Sequence, residues 1–327
     1  MLIGLCGGIC SGKHAVADYL TQHQNFRRLQ VKNSGLPKVI GDPRLQAPNS
    51  FDEAIGGASP IEFETFGSLL DFATKRWQES WVTTCIGNAS TLDRFLQRPF
   101  FLLVSVDAPV SLRWKRFANR CRSRQLDPPT LEEFVLWNDR QLYEKDIGGA
   151  FITDRAQVRL FNSSCSLEEL YAALRMVNLA DEQRLRPNWD QYFMELASLA
   201  AQRSNCMKRR VGCVLVRERR VISTGYNGTP RHLTNCNEGG CPRCNRGEGG
   251  GVGLSTCLCL HAEENALLEA GRERIREGAI LYCDTCPCLT CTVKIAQVGI
   301  SEVVYSQGYN MDNDVCSPIK SLQKRLC

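Results

Sequence analysis

The chain opens with a short apolar run, "MLIGLC", then a glycine-rich segment, "GGICSGK", then Ala15, Val16, Tyr19 and Leu20 at helical spacing within "HAVADYLTQH". That order predicts strand, loop and helix. Farther along, "FFLLVSVDAP" reads as a buried strand and "VSLRWKRFANRCRS" as the helix after it. In "SLEELYAALRMVNLA" the apolar positions keep a helical period, with Ser166 as N-cap and Glu169 at the third helical position. Strands alternating with helices predict an α/β domain with a mainly parallel sheet.

The pattern changes after the polar stretch "DEQRLRP". Residues 181–187 read as a linker between a first domain over 1–180 and a second over 188–327. In the second, "WDQYFMELASLAAQRS" places Trp189, Phe193, Leu196, Ala197 and Ala200 on one helical face. "VGCVLV" and "VISTGYNG" flank the charged turn "RERR", which predicts a β-hairpin. A cysteine- and glycine-rich loop over 236–253 has no regular period. "HAEENALLEA" predicts a helix ending at Gly271, "AILYCD" a strand, "CLTCTVKIAQV" a helix and "EVVYS" a strand.

The length, 327 residues, suits two domains. The net charge is +5 overall, and residues 188–327 carry 17 Lys and Arg against 14 Asp and Glu, a surplus of three. Neither is the balance of a protein that grips a long polynucleotide. No run reaches the roughly 18 to 20 apolar residues that span a bilayer, and the opening lacks a basic segment ahead of its apolar residues. Thirteen of the eighteen cysteines lie from Cys206 onward. In a large chain without a secretory signal such clustering points to metal before disulfides, in a reducing compartment, the cytoplasm or the nucleus.

His261 and Glu263 fall in the first turn of one expected helix, and Cys288 and Cys291 share a face at the start of another. One imidazole and two thiolates are three zinc ligands, which leaves a fourth position open for water. His261-Ala262-Glu263 with Pro287-Cys288-Leu289-Thr290-Cys291 resembles the signature of the zinc-dependent nucleoside and nucleotide deaminases. The competing readings are a closed structural zinc and a redox pair at Cys283 and Cys286. The resemblance implies a cytidine-deaminase-like α/β/α fold with a central mixed sheet. It also implies that zinc lowers the pKa of a water while Glu263 serves as general base and then general acid.

"RSNC", "VGCVLV", "STGYNGTP" and "HAEENALLEA", in that order over about residues 189–311, resemble the deoxycytidylate (dCMP) deaminases. The resemblance implies dCMP as substrate and dUMP as product, destined for thymidylate synthesis. It places Asn265 at the sugar and Tyr309 near the nucleotide, while Arg203 and Ser204 are candidates for the 5′-phosphate because an arginine fork matches phosphate oxygens. Gly225, Tyr226, Asn227 and Gly228 match a segment that binds a triphosphate effector. The expected pattern is activation by dCTP, with magnesium, and inhibition by dTTP, in a homo-oligomer that is commonly a hexamer. Cys206, Cys236, Cys241 and Cys244 are candidates for a second, structural zinc, with Cys257 or Cys259 as substitutes for one of them. The rival readings are a deaminase of RNA or single-stranded DNA, a nucleotide kinase with an inactive zinc module, and a zinc-stabilised scaffold.

The glycine loop fits G-x-x-x-x-G-K through Gly7, Gly12 and Lys13, a P-loop pattern between strand and helix. It resembles the dephospho-coenzyme A kinases. His14 replaces the Ser or Thr whose hydroxyl would hold magnesium, and "FRRLQVKNSG" lacks the acidic residue expected after the second strand. The first domain therefore reads as a degenerate kinase-like unit, used for packing or for sensing a nucleotide. Similar extensions occur in the fungal dCMP deaminases, which the whole chain resembles.

Overall fold

Leu2–Cys6 forms β1, with all five residues buried. In the computed structural model, which describes residues 1–32, 44, 59–86, 88–144, 149–249, 252–308 and 323–326, this strand lies inside a six-stranded sheet. The others are β2 (Arg27–Val31), β3 (Ile61–Phe63), β4 (Trp81–Thr83), β5 (Phe101–Asp107) and β6 (Val158–Phe161). Their order is β3-β2-β4-β1-β5-β6, and every pairing is parallel. The helices are α1 (Lys13–His23), α2 (Phe66–Lys75), α3 (Ala89–Leu96), α4 (Val110–Ser123), α5 (Leu131–Tyr143), α6 (Gly149–Asp154) and α7 (Leu167–Val177).

Because neighbouring strand residues point to opposite faces, the sheet divides its core in two. Leu2, Trp81 and Leu103 pack with Leu69 and Phe95 on one side. Ile3, Leu5, Val82, Leu102 and Val104 pack with Val16, Leu20 and Leu174 on the other. The α7 cap forms as its sequence predicts: Ser166 Oγ accepts from Glu169 N at 3.2 Å, and Glu169 Oε2 accepts from Cys165 N at 2.8 Å.

The chain divides into two units, Met1–Arg186 and Pro187–Cys327. Residues Glu182–Arg184 form a 3-10 turn, which Asp181 Oδ1 caps by accepting from Gln183 N at 2.9 Å.

The second unit is built on β7 (Gly212–Arg217), β8 (Arg220–Tyr226), β9 (Ile280–Thr285), β10 (Glu302–Gln307) and β11 (Gln323–Leu326), in the order β11-β10-β9-β7-β8. β7 runs antiparallel to β8 and β9, while β9, β10 and β11 are parallel, so the sheet is mixed. The hairpin turn uses Glu218 (φ 52) and Arg219 (φ 61), both in the left-handed region without a glycine. Helix α8 (Trp189–Ala201) covers one face, where Val214, Val216, Tyr282 and Val304 meet Phe193, Met194 and Ala197. On the other face Cys213, Leu215, Leu281, Cys283 and Val303 meet α10 (Ala262–Ala270) and α11 (Leu289–Gln297). The remaining helix, α9 (Pro242–Asn245), is a single turn in the cysteine-rich loop.

One detail of α8 departs from expectation. Its buried stripe is Phe193, Met194, Ala197 and Ala201, whereas Trp189 is 44% exposed. Trp189 begins the helix and stacks flat on Phe193, at 5.7 Å between centroids, instead of entering the core.

Candidate metal centre

His261 is the N-cap of α10 and Cys288 the N-cap of α11. Both helices therefore begin at the same place, and their N-terminal dipoles favour negative charge there. Cys288 Sγ and Cys291 Sγ lie 3.4 and 3.3 Å from His261 Nδ1. The three ligand atoms fall within 4.8 Å of one another, a separation that one ion can bridge. One nitrogen and two sulfurs suit zinc, whose bonds to such atoms are about 2.0 to 2.3 Å long.

The two thiols do not titrate alike. Hydrogen bonds from the Cys291 thiol first, and then from His261, Thr290 and the Cys291 backbone N–H, hold Cys288 down to about 3 against the effect of burial. The same sharing pushes Cys291 up. The pair gives up its first proton readily and its second reluctantly, and a bound cation replaces that second proton.

Glu263 points into the same region and is 4% exposed. Burial raises its carboxyl above the usual carboxylate range, although its own backbone N–H and His261 act the other way. A carboxyl poised upward can both take and return a proton near neutral pH. Glu264, which sequence reasoning passed over, fixes the frame. Its Oε2 accepts the His261 N–H at 3.1 Å, and its Oε1 pairs with Lys294 on α11. An acidic residue three positions after an N-cap was the available signal.

Asn265 Nδ2 donates to the Tyr226 carbonyl at 2.8 Å, tying α10 to the end of β8. Ser204 Oγ donates to Asn227 O and Oδ1 at 2.8 and 2.7 Å, and Asn227 Oδ1 also accepts from Val211 N at 2.8 Å. Arg203 is exposed just beyond α8. Gly225 and Gly228 each have a local structural role: Gly225 lies against α10, and Gly228 exchanges backbone hydrogen bonds with Leu260 at 3.2 and 2.8 Å. Tyr309 lies outside the described residues.

The four cysteines expected to form a second site do not form one group by themselves. Cys206, Cys236 and Cys244 gather with Cys259, while Cys241 gathers with Cys244, Cys257 and Cys259.

In the first unit, Gly12 (φ 104) is the N-cap of α1. The loop's carbonyls are tied by the chain's own side chains. Arg116 Nη1 donates to Cys10 O and Ser11 O at 3.3 and 3.4 Å, and Asn162 Nδ2 donates to Ser11 O at 2.9 Å. Lys13 Nζ lies 3.5 Å from Gly8 O, and burial lowers its pKa. His14 Nδ1 is 3.4 Å from Arg28 Nη2.

A mixed sheet with a histidine, two cysteines and a buried glutamate at two helix starts fits the class of zinc-binding deaminases. The profile of the family described as "Cytidine and deoxycytidylate deaminase zinc-binding region" matches residues 187–307. The deoxycytidylate deaminase of Schizosaccharomyces pombe is 49% identical over 324 residues, covering 99% of this chain and 96% of that protein. Its namesake in Saccharomyces cerevisiae is 48% identical over 264 residues, covering 77% and 82%. The chain belongs to the deoxycytidylate deaminases, in their fungal form. The deoxycytidylate deaminase of Mycobacterium phage D29 is 46% identical over 125 residues, which cover 37% of this chain and 95% of that one. The phage protein is therefore slightly shorter than the second unit alone, whereas the S. pombe relative matches along 99% of the chain, the first unit included.

Proposed function

We infer that the chain is a hydrolase that converts dCMP and water to dUMP and ammonia. The observation that carries this reading is the buried Glu263 beside His261, Cys288 and Cys291, in a chain 49% identical to a deoxycytidylate deaminase along its length. Zinc held by those three ligands supplies a Lewis acid that lowers the pKa of a water towards about 7. Glu263 accepts the proton of the attacking water, delivers it to ring nitrogen N3, and then assists the departure of ammonia from C4. Glu264 keeps the His261 backbone in place while this happens. Asn265, with Nδ2 committed to Tyr226, offers Oδ1 to a sugar hydroxyl.

Further parts of the proposal rest on the family resemblance. They are a structural zinc in the cysteine-rich loop, activation by dCTP with magnesium, inhibition by dTTP, and assembly into a homo-oligomer. Residence in the cytoplasm or nucleus is supported by the sixteen described cysteines, none of which is in a disulfide with another described residue. The first unit is a degenerate kinase-like unit. At the position where magnesium would need a hydroxyl it has His14 beside Arg28 and Lys13, a cationic surrounding that would repel a metal ion.

The test is ammonia release from dCMP, deoxycytidine, CMP and a cytosine-containing oligonucleotide, with and without dCTP and magnesium. Turnover of dCMP, lost in Glu263→Ala with zinc retained, supports the reading. Turnover of the oligonucleotide alone would move the enzyme to polynucleotides.

A further inference from the structure

Six cysteines converge beside the active centre, in two tetrads that overlap. Cys206, Cys236, Cys244 and Cys259 form one, and Cys241, Cys244, Cys257 and Cys259 form the other; within each, every sulfur lies within 4.8 Å of the rest. The tetrads share two members, Cys244 and Cys259. Two metal tetrahedra that share an edge require four outer ligands and two shared ones, six in all. We propose that these six cysteines hold two zinc ions, with Cys244 and Cys259 as bridging thiolates. The proposal rests on the structural-zinc reading above and replaces its single ion with a pair.

The spacing fits. A regular tetrahedron with zinc–sulfur bonds of about 2.3 Å has edges of about 3.8 Å. The Cys206–Cys244, Cys241–Cys257, Cys244–Cys257 and Cys244–Cys259 sulfurs are 3.8, 3.9, 3.8 and 3.9 Å apart. Disulfide sulfurs would stand about 2.05 Å apart.

Hydrogen-bond donors of the chain surround the cluster. Met207 N donates to Cys236 at 3.4 Å, Leu258 N to Cys241 at 3.4 Å, and Arg243 Nη1 to Cys257 at 3.7 Å. The backbone N–H groups of Lys208 and Arg209 face Cys206. These donors reach the four outer sulfurs, and Arg243 reaches the shared Cys244 as well as Cys257. Six thiolates and two zinc ions leave a net charge of two minus, which Arg243 and the ring of N–H groups offset. Arg243 is 7% exposed, and a buried guanidinium aimed at Cys257 calls for a thiolate there. A one-zinc site would leave two of the six thiols without a metal, and on the Cys206 tetrad one of those two would be Cys257, which Arg243 faces.

The pair would fasten the loop to the catalytic helix, because the shared Cys259 stands two residues before His261. Metal content of the purified full-length protein is the test, read by mass spectrometry. Three zinc ions per chain are expected, one at His261 and two among the six cysteines, and a count of two or one overturns the pair. In His261→Ala the count should fall to two; a fall to one overturns the two-metal site and leaves the assignment of the His261 site standing. Cys257→Ser should lose one ion, whereas a one-zinc site on Cys206, Cys236, Cys244 and Cys259 would keep its full count. Because a cysteine variant can fail to fold, the wild-type protein is also examined by X-ray absorption. A zinc–zinc path beyond the zinc–sulfur shell supports the pair, and its absence overturns it.

Discussion

The carbonyl oxygen of Ala262 occupies the space that any side chain on Gly225 would need: an added Cβ would lie 2.1 Å from it and 2.5 Å from Ala266 N. Neither contact can relax without moving α10, the helix that begins at His261. Gly225→Ala should therefore destabilise the second unit by about 3 kcal/mol, at the upper end for overpacking, and lower zinc retention with it. Thermal unfolding and metal content check this. An unchanged melting temperature with altered dCTP response would instead assign Gly225 to effector binding.

Asn265 serves two partners through opposite ends of one amide. Nδ2 holds Tyr226 O at 2.8 Å, and Oδ1 is the atom proposed for the sugar. Asn265→Ala should raise KM for dCMP about tenfold, equivalent to one hydrogen bond of roughly 1.4 kcal/mol, with a smaller change in kcat. Steady-state kinetics decide it. A lowered melting temperature with KM unchanged would leave Asn265 only its tie to β8.

The reaction centre was legible because its chemistry is local. His261 and Glu263 sit two apart, Cys288 and Cys291 three apart, and each pair needs only a helix start to take its position. The seven-residue strand Phe101–Asp107, six of its residues buried, and the cap at Ser166 were legible for the same reason. Trp81–Thr83 and Ile61–Phe63 were not, since three residues carry no period. The first tetrad was legible only as a substitution, Cys259 in place of Cys241 among the expected four, and the second was hidden. Spacing along the chain cannot show that Cys259 folds back onto Cys244 and Cys206, because a glycine-rich loop has no helical or strand geometry from which to project a side chain.

His14 makes the first unit sensitive to acid. Burial first, and then the charges of Lys13 and Arg28, lower its pKa from 6.5 to about 3. Between those values the unfolded chain binds a proton that the folded chain refuses, so stability falls as pH falls through this window. Well above pH 6.5 the group contributes no slope. The loss by pH 5 should be about 2 kcal/mol. Urea unfolding of wild type and His14→Gln at pH 7 and pH 5 measures it, and the variant should lose less stability on acidification. Equal losses in the two proteins would sink the assignment.

Glu264 joins the two helices that present the metal ligands, through the His261 N–H on one side and Lys294 on the other. Against burial, which acts in the opposite direction, Lys294 and the His261 N–H hold its carboxyl below the usual range, so it is ionised at neutral pH. Lys294 is half exposed, and an ion pair of that kind contributes at most about 1 kcal/mol to stability. The larger effect should fall on position. Glu264→Ala releases the His261 backbone from its acceptor, and loss of such an outer partner typically weakens metal binding 10- to 100-fold. Zinc should pass to a competing chelator at least about tenfold more readily than from wild type, and Lys294→Met should show a smaller change in the same direction. Wild-type zinc retention in Glu264→Ala would show that α10 and the sheet hold His261 without it.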